Sequence, residues 1–152
     1  MRDLNGLDEA AFLKRLEAEF AVSAAADGEV AKPGEFKFYL GGVWRLAKPK
    51  FDPAALGVVG GLDASWLQAK VRAPILGVDD PRTSKKIDFI GGIRGTAELE
   101  RLVNSGEYAI AFSLHAVTLD QLMAIADAGE IMPPKSTWFE PKLRDGLVSH
   151  NF

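Results

Sequence analysis

Apolar residues recur along this chain with two periods, and the periods alternate. Phe12, Leu13, Leu16 and Phe20 fall three or four apart, with Lys14, Arg15, Glu17 and Glu19 between them. That spacing predicts a helix over Asp8–Phe20 with one buried face and Asp8 as its N-cap. Asp27-Gly28 and Pro33-Gly34 then predict a loop. From Glu35 the period drops to two. Glu35–Leu40 and Val43–Ala47 flank Gly41-Gly42, a pair that accepts the positive φ angles of a two-residue hairpin turn. The register sets Leu40 against Val43, Phe38 against Arg45 and Phe36 against Ala47. Tyr39 and Trp44 then share the opposite face as a packing pair, with ligand stacking as the alternative.

Pro49 and Pro53 predict a linker. A second helix is expected with Asp63 as N-cap, a Leu62–Leu67 staple and Trp66, Leu67 and Val71 buried, and Pro74 should end it. Val78–Lys86 is polar and reads as a loop, and Ile87–Ile90 as a short strand. Thr96 is expected to cap a helix to Asn104, with Gly106 as its stop. Tyr108–Leu114 is apolar on both faces, the pattern of a central strand. Thr118 and Gln121 form a capping box for a helix ending near Gly129, with Val117 and Leu122 as its staple. Met132–Lys142 is kept irregular by three prolines, and Leu147–Asn151 reads as a closing strand. The order α-ββ-α-β-α-β-α-β predicts an α+β fold, one mixed, largely antiparallel sheet with about four helices packed on it. Residues 1–152 are expected to form a single domain.

Composition agrees: 152 residues, 47% hydrophobic and 26% charged, suffice to bury a core without cross-links. No apolar run approaches the length of a transmembrane helix, and MRDLNGLDEAAF lacks the apolar stretch of a secretory signal, so a cytoplasmic protein is expected. The absence of cysteine excludes disulfides, thiolate metal sites, iron–sulfur clusters and a Cys nucleophile. The net charge is −3, and its distribution is uneven: residues 1–35 hold eight acids and four bases, the remainder thirteen acids and fourteen bases. The acidity therefore belongs to the first helix and the loop after it, as a solvated face, and the negative total argues against nucleic-acid binding.

Candidate chemistry is confined to a few segments. Asp79-Asp80 offers oxygen ligands for a hard cation such as magnesium, or an Asp-Pro turn with Pro81. His115 and His150 are far apart and read as structural. Gly91–Gly95 (GGIRG) follows a predicted strand and precedes a helix. It offers backbone N–H groups and Arg94 to an anion, or simply makes a tight turn. Pro133–Lys142 combines cations, hydroxyls, the Trp138-Phe139 pair and Glu140, a set that clasps a phosphorylated ligand or covers a sheet edge. Ser113, Ser136 and Ser149 have no evident general base, and no catalytic residue is assigned.

Two blocks carry a resemblance. RAPILGVDDPRTSKKIDFIGGIRG, and LERLVNSGEYAIAFSLHAVTLDQLMAIADAGEIMPPKSTWFEPKLRDGL after it, resemble the C-terminal half of the bacterial and archaeal family known as domain of unknown function 1015. The similarity runs from Leu4 to Phe152 and is densest from Ala73 to Leu147. Family members are longer, and their upstream half carries a glycine-histidine-arginine motif similar to ParB-like and free-serine-kinase-like domains. No glycine here is followed by His-Arg. The resemblance therefore implies a C-terminal domain whose partner is that nucleotide-holding half. On this basis an accessory or ligand-binding domain is expected, contacting a nucleotide or phosphorylated metabolite. Arg82, Lys85, Lys86, Arg94, Lys135, Ser136, Thr137 and Lys142 would reach the phosphates, with Asp79, Asp80 and Glu140 orienting magnesium or the basic side chains. The alternatives are a structural or homo-oligomerisation domain without ligand, and a stand-alone phosphoryl-transfer enzyme.

Overall fold

The computed structural model describes residues 1–133. The expectations for Lys135, Ser136, Thr137, Trp138, Phe139, Glu140, Lys142, Ser149 and His150, and for the strand Leu147–Asn151, lie outside these residues.

The first helix, α1 (Glu9–Glu19), starts where Asp8 accepts a hydrogen bond from the Ala11 N–H. It buries Phe12 and Leu16. Phe20, expected in this helix, instead opens a strand, β1 (Phe20–Ala24). The sequence FAVSA has little period-two contrast, so its pairing comes from the neighbouring strand rather than its own pattern. That neighbour is β3 (Val43–Pro49), joined to β2 (Phe36–Leu40) by the Gly41-Gly42 turn. Both glycines have positive φ, 59° and 80°, and the register is the expected one, Leu40 opposite Val43 and Phe36 opposite Ala47. Pro49 belongs to β3 rather than to a linker. A 3₁₀ turn (Pro53–Leu56) and the short α2 (Gly57–Gly60) follow.

The next helix, α3 (Asp63–Leu67), widens into a π-helical turn, Gln68–Arg72, before Pro74. Leu62, not Asp63, occupies its N-cap position; the Asp63 carboxylate instead accepts from the Gly34 N–H at 2.9 Å, tying down a distant loop. Ile87–Ile90 forms no strand, and among the described residues no strand pairs with it. Helix α4 (Gly95–Asn104) grows straight out of a 3₁₀ turn, Gly92–Arg94, so Arg94 takes the cap position and Thr96 lies inside the first turn. The strand β4 (Ile110–Leu114) and helix α5 (Leu119–Asp127) complete the described residues, and α5 begins at the expected Thr118–Gln121 capping box.

The fold is α+β. Among the described residues the sheet order is β1-β3-β2-β4, and every pairing is antiparallel. Within them β4 lies at an edge rather than at the centre. Its apolar character on both faces has another cause, since both faces of the sheet are covered. On one face Phe36, Phe38 and Leu40 pack with Phe12, Leu16, Trp66 and Val71 from α1, α3 and the π-helical turn. Each of these large side chains, removed from water, contributes roughly 1.5–3 kcal/mol. On the other face Tyr39, Trp44 and Ala111 pack against Leu99 and Val103 of α4. The Tyr39 and Trp44 rings stand 5.1 Å apart, and each is anchored to α4, Trp44 Nε1 donating to Glu100 and Tyr39 Oη to Asn104. Packing therefore accounts for the pair.

Candidate functional site

The α3 helix and its π-helical continuation have two faces. Trp66, Leu67 and Val71 enter the core. Ser65, Gln68 and Arg72, three and then four residues apart, form a polar stripe on the other side. The wider π-helical turn is a local irregularity of a kind frequent at functional sites. Ser65 and Gln68 on this stripe are half-buried and Arg72 is buried. With Pro81 and Phe89, from the segment after α3, and with Pro133 they line a half-open cleft of about 270 Å³. Pro81 and Phe89 thus meet Pro133, a residue far along the chain, beside Arg72.

The floor of the cleft is unusual in its hydrogen bonding. Arg72 is 7% exposed. Its Nη2 donates to the Ala64 carbonyl at 2.8 Å, while its buried Nε has no partner. Among the described residues no carboxylate forms an ion pair with it, and burial pushes its guanidinium down to about 10. It remains cationic at neutral pH. Gln68 Nε2 donates to the carbonyls of Val78 and Asp79. Two carbonyl partners fix the amide orientation, because only the NH₂ group can serve them. Gln68 Oε1 is then left buried without a donor, and so is Ser65 Oγ. Buried polar groups are normally hydrogen-bonded, and a buried charge is normally paired. Three unsatisfied polar atoms thus belong to one stripe of side chains, Ser65, Gln68 and Arg72, that borders the cleft.

The cations expected from the sequence lie elsewhere. Arg82 makes a two-pronged contact with Asp80, 3.0 Å for each prong, and its backbone N–H also donates to that carboxylate. This pairing holds the Asp80 carboxyl below the usual range. Asp80 thus shapes the turn, while Asp79 is exposed. Among the described residues no group of three or more His, Cys, Asp or Glu is placed to hold a metal ion. Lys86 reaches Asn5 Oδ1 at 3.1 Å and Asp3 at 3.5 Å. Lys85 and Arg94 are exposed. Among the described residues, none of Arg82, Lys85, Lys86 and Arg94 lines the cleft. Arg72 was not singled out from the sequence. Its only signal there is the Ser65–Gln68–Arg72 spacing, which is equally that of a solvated helix face.

Asp63, in the first turn of α3, is a buried acid. Burial raises the Asp63 carboxyl, the Gly34 hydrogen bond and the His115 ring oppose that shift, and Glu35 adds to it. No helix among the described residues is long and apolar enough to cross a membrane. Compared with family models, curated proteins and solved structures, the chain matches none.

Proposed function

We propose that this chain is a ligand-binding or accessory domain that takes an anionic small molecule in the cleft floored by Arg72. The observation that carries it is the buried guanidinium without an acidic partner. Holding an unpaired cation in the interior is costly, and an anion would offset that cost directly. The resemblance to the C-terminal half of domain of unknown function 1015 adds an expected setting. In it the ligand is phosphate-bearing, or the domain completes a nucleotide site with a ParB-like half, in the cytoplasm. A thermal-shift screen tests the anion site, using inorganic phosphate, magnesium–ATP, phosphoserine and simple carboxylates on the wild type and Arg72→Met. A ligand at a hundred times its Kd stabilises by about 2.7 kcal/mol. The expected result is a rise in Tm of several degrees with at least one anion, absent in Arg72→Met. No response of the wild type to any anion overturns the proposal.

A docking role is favoured by one observation. Leu119, Met123 and Ile131 are 72%, 54% and 86% exposed, an apolar surface at the end of the described chain. Sedimentation over a range of concentrations tests it: self-association supports it, and a monomer throughout overturns the homo-oligomer form.

A further inference from the structure

We infer that the corner where α2 lies against α5 takes an amphipathic helix with basic flanks from a partner protein. This inference rests on the docking role and narrows it to the chemistry of the partner.

Position is the first argument. Among the described residues seven large apolar side chains are left exposed, and five of them belong to two segments that pack together. These are Leu56 and Val58, beside and within α2, and Leu119, Met123 and Ile131, within and after α5. Helix α5 buries Ile125 and half-buries Leu122, while Leu119, Met123 and Ala126 stay exposed. Spaced four and then three apart, those three share a helix face. So α5 carries a second apolar stripe beyond the one it packs inward. Apolar side chains exposed singly need no explanation, but a cluster of them marks an interaction surface.

Charge is the second. Residues 51–62 and 116–133 hold four acids, Asp52, Asp120, Asp127 and Glu130, and no lysine or arginine. All four acids are exposed. An apolar surface rimmed by acids alone selects its occupant by sign. A two-fold interface joins a patch to its own image, so a second copy would set these acids against themselves. An anionic membrane or a nucleic acid meets the same repulsion. A partner with Lys or Arg beside its apolar stripe gains from both the apolar contact and the charge.

Shape is the third. Both α2 and α5 are helical, so they offer an added strand no ladder to join. They offer rows of side chains, which the rows of another helix fit. Met123 supplies an unbranched, adaptable side chain of a kind common on helix-binding surfaces.

The test is fluorescence anisotropy of labelled peptides titrated with the full chain. The first peptide is about 15 residues of leucine and lysine with the leucines at helical spacing, long enough to form a helix. The second has glutamate in place of lysine, and the third is a scramble of the first. The expected result is that the first binds at least about tenfold more tightly than either of the others. Met123→Gln, at a side chain already exposed, should weaken that binding. So should Asp127→Lys combined with Glu130→Lys, changes that suit the C-terminal end of a helix. Glu17→Lys, at an exposed acid on α1, should not. Equal weakening by Glu17→Lys, or equal binding of the scramble, means attraction to the overall negative charge and overturns the proposal. Equal binding of the leucine–glutamate peptide overturns it as well. Sedimentation of the chain alone separates this proposal from the docking role. Self-association that Met123→Gln abolishes seats a second copy at the corner, which overturns the basic partner and leaves the docking role standing. A monomer that binds none of the peptides overturns both.

Discussion

Replacing Arg72 with methionine should make the ligand-free protein more stable. The guanidinium is almost fully buried, it has no ion pair, and burial lowers it to about 10. Lowered that far from the ordinary arginine range, with each tenfold change in ionisation constant worth about 1.4 kcal/mol, the charge costs the folded state roughly 3 kcal/mol. Methionine keeps a long unbranched side chain and removes that cost. It also removes the Nη2 hydrogen bond to the Ala64 carbonyl. Losing a partner of that kind costs about 1–3 kcal/mol. The net expectation is a gain of about 1 kcal/mol, or a few degrees in Tm for a domain of this size. The sign with pH follows from linkage. A base lowered on folding destabilises wherever it is charged in both states, so the gain is full at neutral pH and fades as the pH rises above about 10. Urea unfolding followed by tryptophan fluorescence measures it, with Trp44 and Trp66 both in packed surroundings. A loss of 1 kcal/mol or more, with m unchanged, would refute the reasoning: Arg72 would then be a brace rather than a group held ready for an anion.

Two further substitutions probe the packing on either face of the sheet. Asp63→Asn keeps an acceptor for the Gly34 N–H and removes a carboxyl that burial pushes up. An acid raised on folding loses stability as the pH climbs from its unfolded value through its folded one, so the variant should gain over wild type at neutral pH and show no gain at about pH 3. A gain independent of pH would point to packing instead. Gly28→Ala would press a methyl group on the Trp44 ring and place it 2.7 Å from the Thr96 methyl. Overpacking of this kind costs about 1–3 kcal/mol, read as a lower urea midpoint. A loss below about 0.5 kcal/mol would contradict the close approach of α4 to the sheet.

The features legible in the amino-acid order are those whose causes are neighbours in the chain. The Gly41-Gly42 turn sets its own register, because two adjacent positive φ angles leave the flanking strands one way to pair. Asp8 and the Thr118–Gln121 box start their helices by satisfying N–H groups three residues away. The failures share the opposite property. β1 looks like a loop because Ala21, Ser23 and Ala24 are exposed and its order comes from pairing with β3. Ile87–Ile90 has a strand's composition and, among the described residues, no strand beside it.

Arg72 is the sharpest case. Ser65, Gln68 and Arg72 follow a helical period, and nothing within the helix distinguishes a wet stripe from a covered one. The residues that line the cleft with it, Pro81, Phe89 and Pro133, lie up to 61 positions after Arg72 in the chain. Local chemistry along the chain was enough for the α+β pattern, the hairpin and the helix starts, because hydrogen bonds and periodicity act over a few residues. Only the meeting of distant segments turned an ordinary surface arginine into a buried, unpaired cation, because burial depends on every element that crosses above a side chain.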